Sequence, residues 1–396
     1  MTRHWTAAAL ALALGPLVSV MHSSPTVRAL GHEPSQTPQA SPAPQGTAAD
    51  ACAALAGLAL PHVTITSATL VAAGAFTPPT PGNAAAPSSA RFAKLPAFCR
   101  VQATLTPTSD SSIGIEVWLP SAGWNGRFQG VGGRALAGII VYPAMASALA
   151  DGYATASTDT GHVGPGGSFA AGHPEKIVDH GHRAVHEMTV TAKQVIDKFY
   201  GRPAQKHYWN GCSLGGRQGL AEAQRYPQDY DGIIAGDIAN DITGLYAARL
   251  QQHQWAHRSA EAALTTEALR TLNTAVVTAC DRLDGAADGI LENPLQCHFD
   301  PATIQCGKPG APADCLNAEQ VETARRMYAP VRRADKSVVS NGLMPGSEVG
   351  WTAVLGAEPE RNSVEVYRHM VFKDPQWDWK AFQLMPALTA AKTSPT

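Results

Sequence analysis

The sequence predicts an α/β fold in which a largely parallel sheet carries helices on both faces. Short β-branched, apolar or aromatic runs bounded by glycine alternate with stretches of helical period, and one glycine-framed serine sits where a strand would turn into a helix. The chain has 396 residues, 44% hydrophobic and 16% charged, which suits a large buried core and excludes a disordered chain or a coiled coil. Thirty basic residues against 32 acidic ones give a net charge of −2. That balance argues against a nucleic-acid groove or an anionic membrane surface as the main partner.

At the N-terminus, Arg3 and His4 precede an uncharged apolar run from Ala7 to Val20. The run falls short of the roughly 20 residues that span a bilayer and matches the apolar region of a secretory signal. Residues 1–29 are therefore expected to be a signal peptide, with Val27-Arg28-Ala29 as cleavage site and Met21 to Ser24 as the alternative. A buried helix in the mature fold is the competing reading, but neither caps nor amphipathic period support it. Residues 30–47 read as a low-complexity linker rich in Pro, Ala, Ser, Gln and Thr, so the folded part should begin near Ala48. Export would place the chain in the periplasm or outside the cell.

The alternating segment Ile113 to Leu119 reads as a strand, and Phe128 to Val131, Tyr153 to Ser157, His207 to Asn210 and Gly232 to Gly236 read as further short strands. Between them Val185, Met188, Ala192, Val195, Ile196 and Phe199 form one apolar stripe on a helix from about His182 to Tyr200. The order implies a core domain over residues 48–241. After Asp241 helices at Thr266 to Ala279 and Asn317 to Tyr328, the latter opened by an Asn317/Gln320 capping pair, mix with irregular Gly/Pro stretches. This texture reads as a second, inserted domain over 242–380, with 381–396 returning to the core.

In an exported chain disulfides are the default state of cysteine. Proximity suggests Cys52 with Cys99, Cys280 with Cys297 and Cys306 with Cys315, although spacing alone does not fix connectivity. The seventh cysteine, Cys212, is left unpaired. Zinc is the competing reading, and no C-x-x-C pair supports it.

The strongest chemical signal is Gly211-Cys212-Ser213-Leu214-Gly215, which fits the G-x-S-x-G nucleophile elbow. A strand before it and a helix from Arg217 to Arg225 after it supply the required context. Ser213 would be the nucleophile, and the Leu214 N–H, at a helix start, would face a developing oxyanion. The Gly130-Val131-Gly132-Gly133 loop is a candidate for the second oxyanion donor. Asp281, Asp284 and Asp288, with Ala286 and Ile290 carbonyls, could enclose one hard cation such as calcium; two Asp-Gly turns with solvated carboxylates explain the same spacing. His180, His182 and His186 place two imidazoles four residues apart on a helix. No zincin glutamate follows His182, so a hydrogen-bonded or solvated face is the better reading.

The stretch Tyr208 to Gly219, with Ala223 to Pro227 and Tyr230 to Ile233, resembles the tannase and feruloyl esterase family, which includes mono(hydroxyethyl) terephthalate hydrolases. Ala156 to His162, His173 to Lys176 and Arg183 to His186 look like its other core blocks, and Cys280 through Gly289 is similar to its calcium loop. The resemblance implies an α/β-hydrolase core with an inserted lid and hydrolysis of esters of aromatic acids such as gallate, ferulate or terephthalate. It also implies structural Ca2+ on Asp281, Asp284, Ala286, Asp288 and Ile290. The family's glycine loop reads G-N-G-G; Gly132-Gly133-Arg134 departs from it, leaving Gly132 the safer donor and Gly133 the doubtful one.

On this reading Ser213 forms an acyl-enzyme that water resolves, with no cofactor in the chemistry. A catalytically impaired hydrolase-like binding protein, or an inactive fragment, is the alternative. The family's triad adds an Asp after the lid and a His before a Cys that bridges to the cysteine beside the serine. After Ser213 only His253, His257, His298 and His369 occur, none followed by Cys. The resemblance therefore predicts a C-terminally incomplete core lacking the Asp, the His and the last strands, with Cys212 unpaired and a sheet edge open.

Overall fold

The computed structural model describes residues 46–79 and 89–393, all within one compact unit, 43–396. The expected signal peptide and residues 30–45 of the linker lie outside the described residues. The first element among the described residues is a helix at Ala48–Ala54, which Thr47 caps through a reciprocal bond with Asp50.

Seven strands form one sheet: β1 Val63–Val71, β2 Phe98–Leu105, β3 Ile113–Pro120, β4 Arg127–Val131, β5 Ala154–Thr158, β6 Lys206–Cys212 and β7 Gly232–Gly236. Their order is β1-β2-β3-β5-β4-β6-β7. β4 pairs in parallel with β5 and β6, and β6 with β7, whereas β1–β2, β2–β3 and β3–β5 are antiparallel. The sheet is thus mixed, which corrects the expectation of a largely parallel one. β1 and β2 supply much of the difference, and neither was anticipated. β1 lies at one edge with no residue fully buried, so its composition lacks a clean apolar face.

Strand alternation sorts the sheet into two apolar layers. Val101, Ala103 and Leu105 of β2 and Ile113, Ile115, Val117 and Leu119 of β3 face the helix Ala184–Tyr200, whose Val185, Met188, Ala192, Val195 and Ile196 are buried against them. The opposite face buries Phe98 and Trp118 under Met145 and Leu149 of the helix Tyr142–Ala150. Helices on both faces agree with the expectation.

On that second face β2 carries Arg100 and Gln102, which a strand-pattern reading treats as solvent-facing. Both are drawn in by Glu116 of β3. Its buried carboxylate accepts from Arg100 Nε (2.9 Å), Gln102 Nε2 (3.1 Å), Trp118 Nε1 (2.9 Å) and the Tyr142 hydroxyl (2.8 Å). A buried charge survives only when so partnered.

Beyond β7 the chain is helical and irregular. Helices Thr266–Cys280 and Ala318–Tyr328 form a core of their own with Trp351, Val354 and Leu355. Asn317 and Gln320 make the expected reciprocal cap. The helix Ile242–Ala256 instead joins Leu136, Ala170 and Ile177 to Tyr367, Met370 and Leu388, so residues past 241 share a core with the sheet's loops. The three expected disulfides form, Cys52–Cys99, Cys280–Cys297 and Cys306–Cys315, and Cys212 is free and exposed. No helix among the described residues is long and apolar enough to cross a membrane. β7 is the other edge of the sheet, where Ile234 is 64% exposed.

Glu116→Gln removes the carboxylate charge while leaving Arg100 in place. It should cost about 3 kcal/mol in urea unfolding, the scale for breaking a buried pair; a loss below about 1 kcal/mol would show that the network only fills space.

Candidate active site

β6 ends at Cys212 and the helix Leu214–Arg225 begins two residues later, so the whole reversal is made at Ser213. Its backbone sits at φ 60° and ψ −115°, a region that L-residues populate only when their surroundings force it. The constraint is visible: the Ser213 N–H donates to the Gly236 carbonyl (3.0 Å), and the Ser213 carbonyl accepts from Arg217 N–H (3.1 Å). Gly211 must lack a side chain, because a Cβ there would overlap the Gly215 backbone. The Trp209 indole, buried beneath the turn, donates to the Gly215 carbonyl (2.8 Å). Leu214 is the first residue of the helix, so its N–H has no carbonyl one turn back to bond.

The glycine loop packs directly on this turn. A Cβ on Gly132 would overlap the Gly215 Cα, and the Gly215 N–H donates to the Gly133 carbonyl (3.0 Å). The expected oxyanion donor Gly132 needs correction. Its N–H continues the ladder between β4 and β6 by donating to the Asn210 carbonyl (3.0 Å), so it is not free to bind an oxyanion. Gly133 instead donates to the Gln218 side-chain oxygen (2.9 Å), a bond that a side chain can release. Ala135, where the loop departs from glycine, is held at φ 48°.

Behind the elbow lies the histidine segment. Residues Asp179–Arg183 form a π turn that runs into the helix Ala184–Tyr200, an irregularity that helical periodicity does not reveal. His180 is buried with Nδ1 3.1 Å from the Thr160 hydroxyl, and burial drives its pKa well below the ordinary value. His182 Nδ1 lies 3.0 Å from the Tyr226 hydroxyl, and His186 Nδ1 lies 2.6 Å from Asp229 Oδ2. These histidines are hydrogen-bonded, in line with the reading that set them apart from a zincin site. His186, Asp229 and Glu222 do place their donor atoms within 4.8 Å of one another. Glu222 is fully buried, and burial first, then Asp229, push its carboxyl up.

The acidic loop folds on its own backbone. Asp281 accepts from Gly289 N–H (2.8 Å), Asp284 from Ala286 (3.0 Å) and Glu292 (3.1 Å), and Asp288 from Ile290 (3.0 Å). The two backbone bonds hold Asp284 below the usual carboxylate range. The donors are oxygens alone and none is ion-paired, which suits a hard cation. As they stand the three carboxylates do not all come within 4.8 Å of one another, among the described residues.

No imidazole among the described residues bonds the Ser213 hydroxyl. His253 Nε2 lies 3.1 Å from the Gly356 carbonyl, His257 Nδ1 lies 3.0 Å from the His253 carbonyl, and His369 Nε2 lies 3.6 Å from Glu365. His298 is exposed in the loop after Cys297.

A strand–turn–helix reversal made at one strained serine on a mixed sheet has the geometry of a nucleophile elbow. The family described as tannase and feruloyl esterase matches residues 99–366, and the chain belongs to that family. It is 41% identical over 308 residues to an uncharacterized esterase of Xanthomonas campestris pv. campestris, covering 76% of this chain and 51% of that protein. A probable feruloyl esterase B of Aspergillus clavatus is 34% identical over 319 residues, covering 80% and 60%. The crystal structure of feruloyl esterase B from Aspergillus oryzae superposes with TM-score 0.81 at 29% identity, covering 88% of this chain and 70% of that one. The sheet is thus of the α/β-hydrolase type. The chain spans 51% and 60% of the lengths of those two sequence relatives.

Folding keeps the Glu222 carboxyl protonated to higher pH than the unfolded chain does. The stability this permits is complete in acid and is lost as pH rises above the ordinary glutamate range. Glu222→Gln should match the wild type near pH 5 and exceed it by on the order of 1–3 kcal/mol near pH 9. A urea stability difference that does not grow with pH would refute this cause.

Proposed function

We propose that the chain is a serine carboxylic-ester hydrolase acting on small esters of aromatic acids, of feruloyl, galloyl or terephthaloyl type. The observation that carries the reading is Ser213 itself, held at φ 60° on the turn between β6 and its helix beside the unbonded Leu214 N–H. The Ser213 hydroxyl would attack the ester carbonyl, and the oxyanion would settle on Leu214 N–H, with Gly133 as the loop donor once Gln218 releases it. The alcohol leaves, and water resolves the acyl-enzyme. The names of the relatives, an esterase and a feruloyl esterase, support the substrate class.

A second reading rests on one observation: no imidazole among the described residues bonds the Ser213 hydroxyl. A serine without its base loses on the order of 10⁴ or more in rate. This chain would then serve as a weak hydrolase or a hydrolase-like binding protein. A fluorophosphonate should label Ser213 slowly and Ser213→Ala not at all. Turnover on gallate, ferulate and mono(hydroxyethyl) terephthalate esters should exceed that on aliphatic p-nitrophenyl esters. A folded sample that never labels would leave only the binding protein.

Asp281, Asp284 and Asp288, with the Ala286 and Ile290 carbonyls, would hold a structural calcium ion that ties the 281–290 loop to the neighbouring Cys280–Cys297 disulfide. Export, suggested by the N-terminal sequence, fits the three disulfides. Calcium should raise the melting temperature and EGTA should lower it; identical melting in both would remove the site.

A further inference from the structure

A cavity of about 210 Å³ runs along the outer side of the elbow helix, between the π turn and the start of the helix Ile242–Ala256. Two arginines line it, the half-buried Arg217 and the exposed Arg225. Neither makes an ion pair or a side-chain hydrogen bond among the described residues, whereas Arg183, one residue past the cavity wall, is held by Asp179 and Glu175. Arg217 is the more exacting case, because its Nε is buried with no partner. A buried guanidinium N–H with no acceptor is costly, and an anion in the cavity would supply that acceptor.

The surroundings point the same way. His182 on the cavity wall is lowered to about 4, by burial first and then by Arg225, Arg183, His186 and Arg217. Asp241 is the one acid on the wall, and its carboxylate already caps its own helix by accepting from Gly244 N–H (3.0 Å) and the Thr243 hydroxyl (3.3 Å). The remaining wall is mixed, with Leu220, Ala221 and Ile242 as its apolar part and Gln224, Asn240 and Thr243 as its polar part.

We propose that this cavity is a binding site for a small monocarboxylate with a compact apolar body, its carboxylate on Arg217 and Arg225 and its body against Leu220 and Ile242. The planar guanidinium matches the two carboxylate oxygens, and the apolar wall selects against a fully hydrated oxyanion such as phosphate. The site stands apart from Ser213 and does not depend on ester hydrolysis.

The test is calorimetric titration of the full chain with benzoate, acetate and inorganic phosphate at constant ionic strength, read alongside melting temperature. Benzoate should bind and raise the melting temperature, acetate more weakly, phosphate least. Arg217→Met, which removes the charge and keeps the stem, should abolish the benzoate shift, and Arg225→Gln should reduce affinity about tenfold or more, the scale of one charge-assisted contact. If Arg217→Met does not fold, Arg225→Gln and the order of the three anions still decide the matter. No benzoate binding to the wild type, phosphate binding more tightly than benzoate, or shifts unchanged in the variants would each overturn the proposal. Fluorophosphonate labelling of Ser213 reports separately on the hydrolase reading.

Discussion

The site depends on one constraint: three backbone segments meet where no side chain fits. Gly211 at the end of β6, Gly132 after β4 and Gly215 in the elbow helix approach so closely that a Cβ on either of the first two would overlap the third. This contact brings the helix N-terminus down onto the sheet. It also forces the strand-to-helix reversal into a single residue and so places Ser213 in its strained conformation. The Trp209 indole and the Gly236 carbonyl hold the turn from below and from the next strand. Strain of this kind persists only where neighbours over-determine it, and here β4, β6, β7 and the elbow helix all do.

The elbow was legible because its chemistry is local. Glycines at 211 and 215 around a serine, a strand before and a helix after, state their own geometry. The helix Ala184–Tyr200 was legible for a similar reason, since its apolar stripe repeats at helical period over four turns. The proximity pairing of cysteines also holds in the fold, the three bridges closing separations of 47, 17 and 9 residues.

What sequence reasoning missed depends on partners far along the chain. β2 contains Arg100 and Gln102 on a buried face, and only Glu116 of the neighbouring strand makes them tolerable there. The π turn at Asp179–Arg183 is set by the contacts of His180 with Thr160 and of Asp179 with Arg183, not by residue type. Gly132 failed as an oxyanion donor for a comparable reason: a glycine's availability depends on whether the sheet ladder extends past it, and here Asn210 takes its N–H.

The distribution of charge around the elbow bears on what the turn can stabilise. A helix N-terminus carries a partial positive charge, and the first turn of this one contains no acidic residue. Arg217 follows one turn later without a counter-ion, and His180 and His182 behind it are kept neutral by burial and by their cationic neighbours. The nearby carboxylates are committed elsewhere, Asp179 to Arg183 and Asp229 to His186 and Lys193, and Glu222 is pushed toward its neutral form. The peptide dipoles at the start of the elbow helix therefore favour negative charge beside Ser213. These dipoles belong to a rigid element and need no reorganisation when charge develops, the condition under which such groups count most. Backbone packing thus fixes both the serine's geometry and the dipoles that face it.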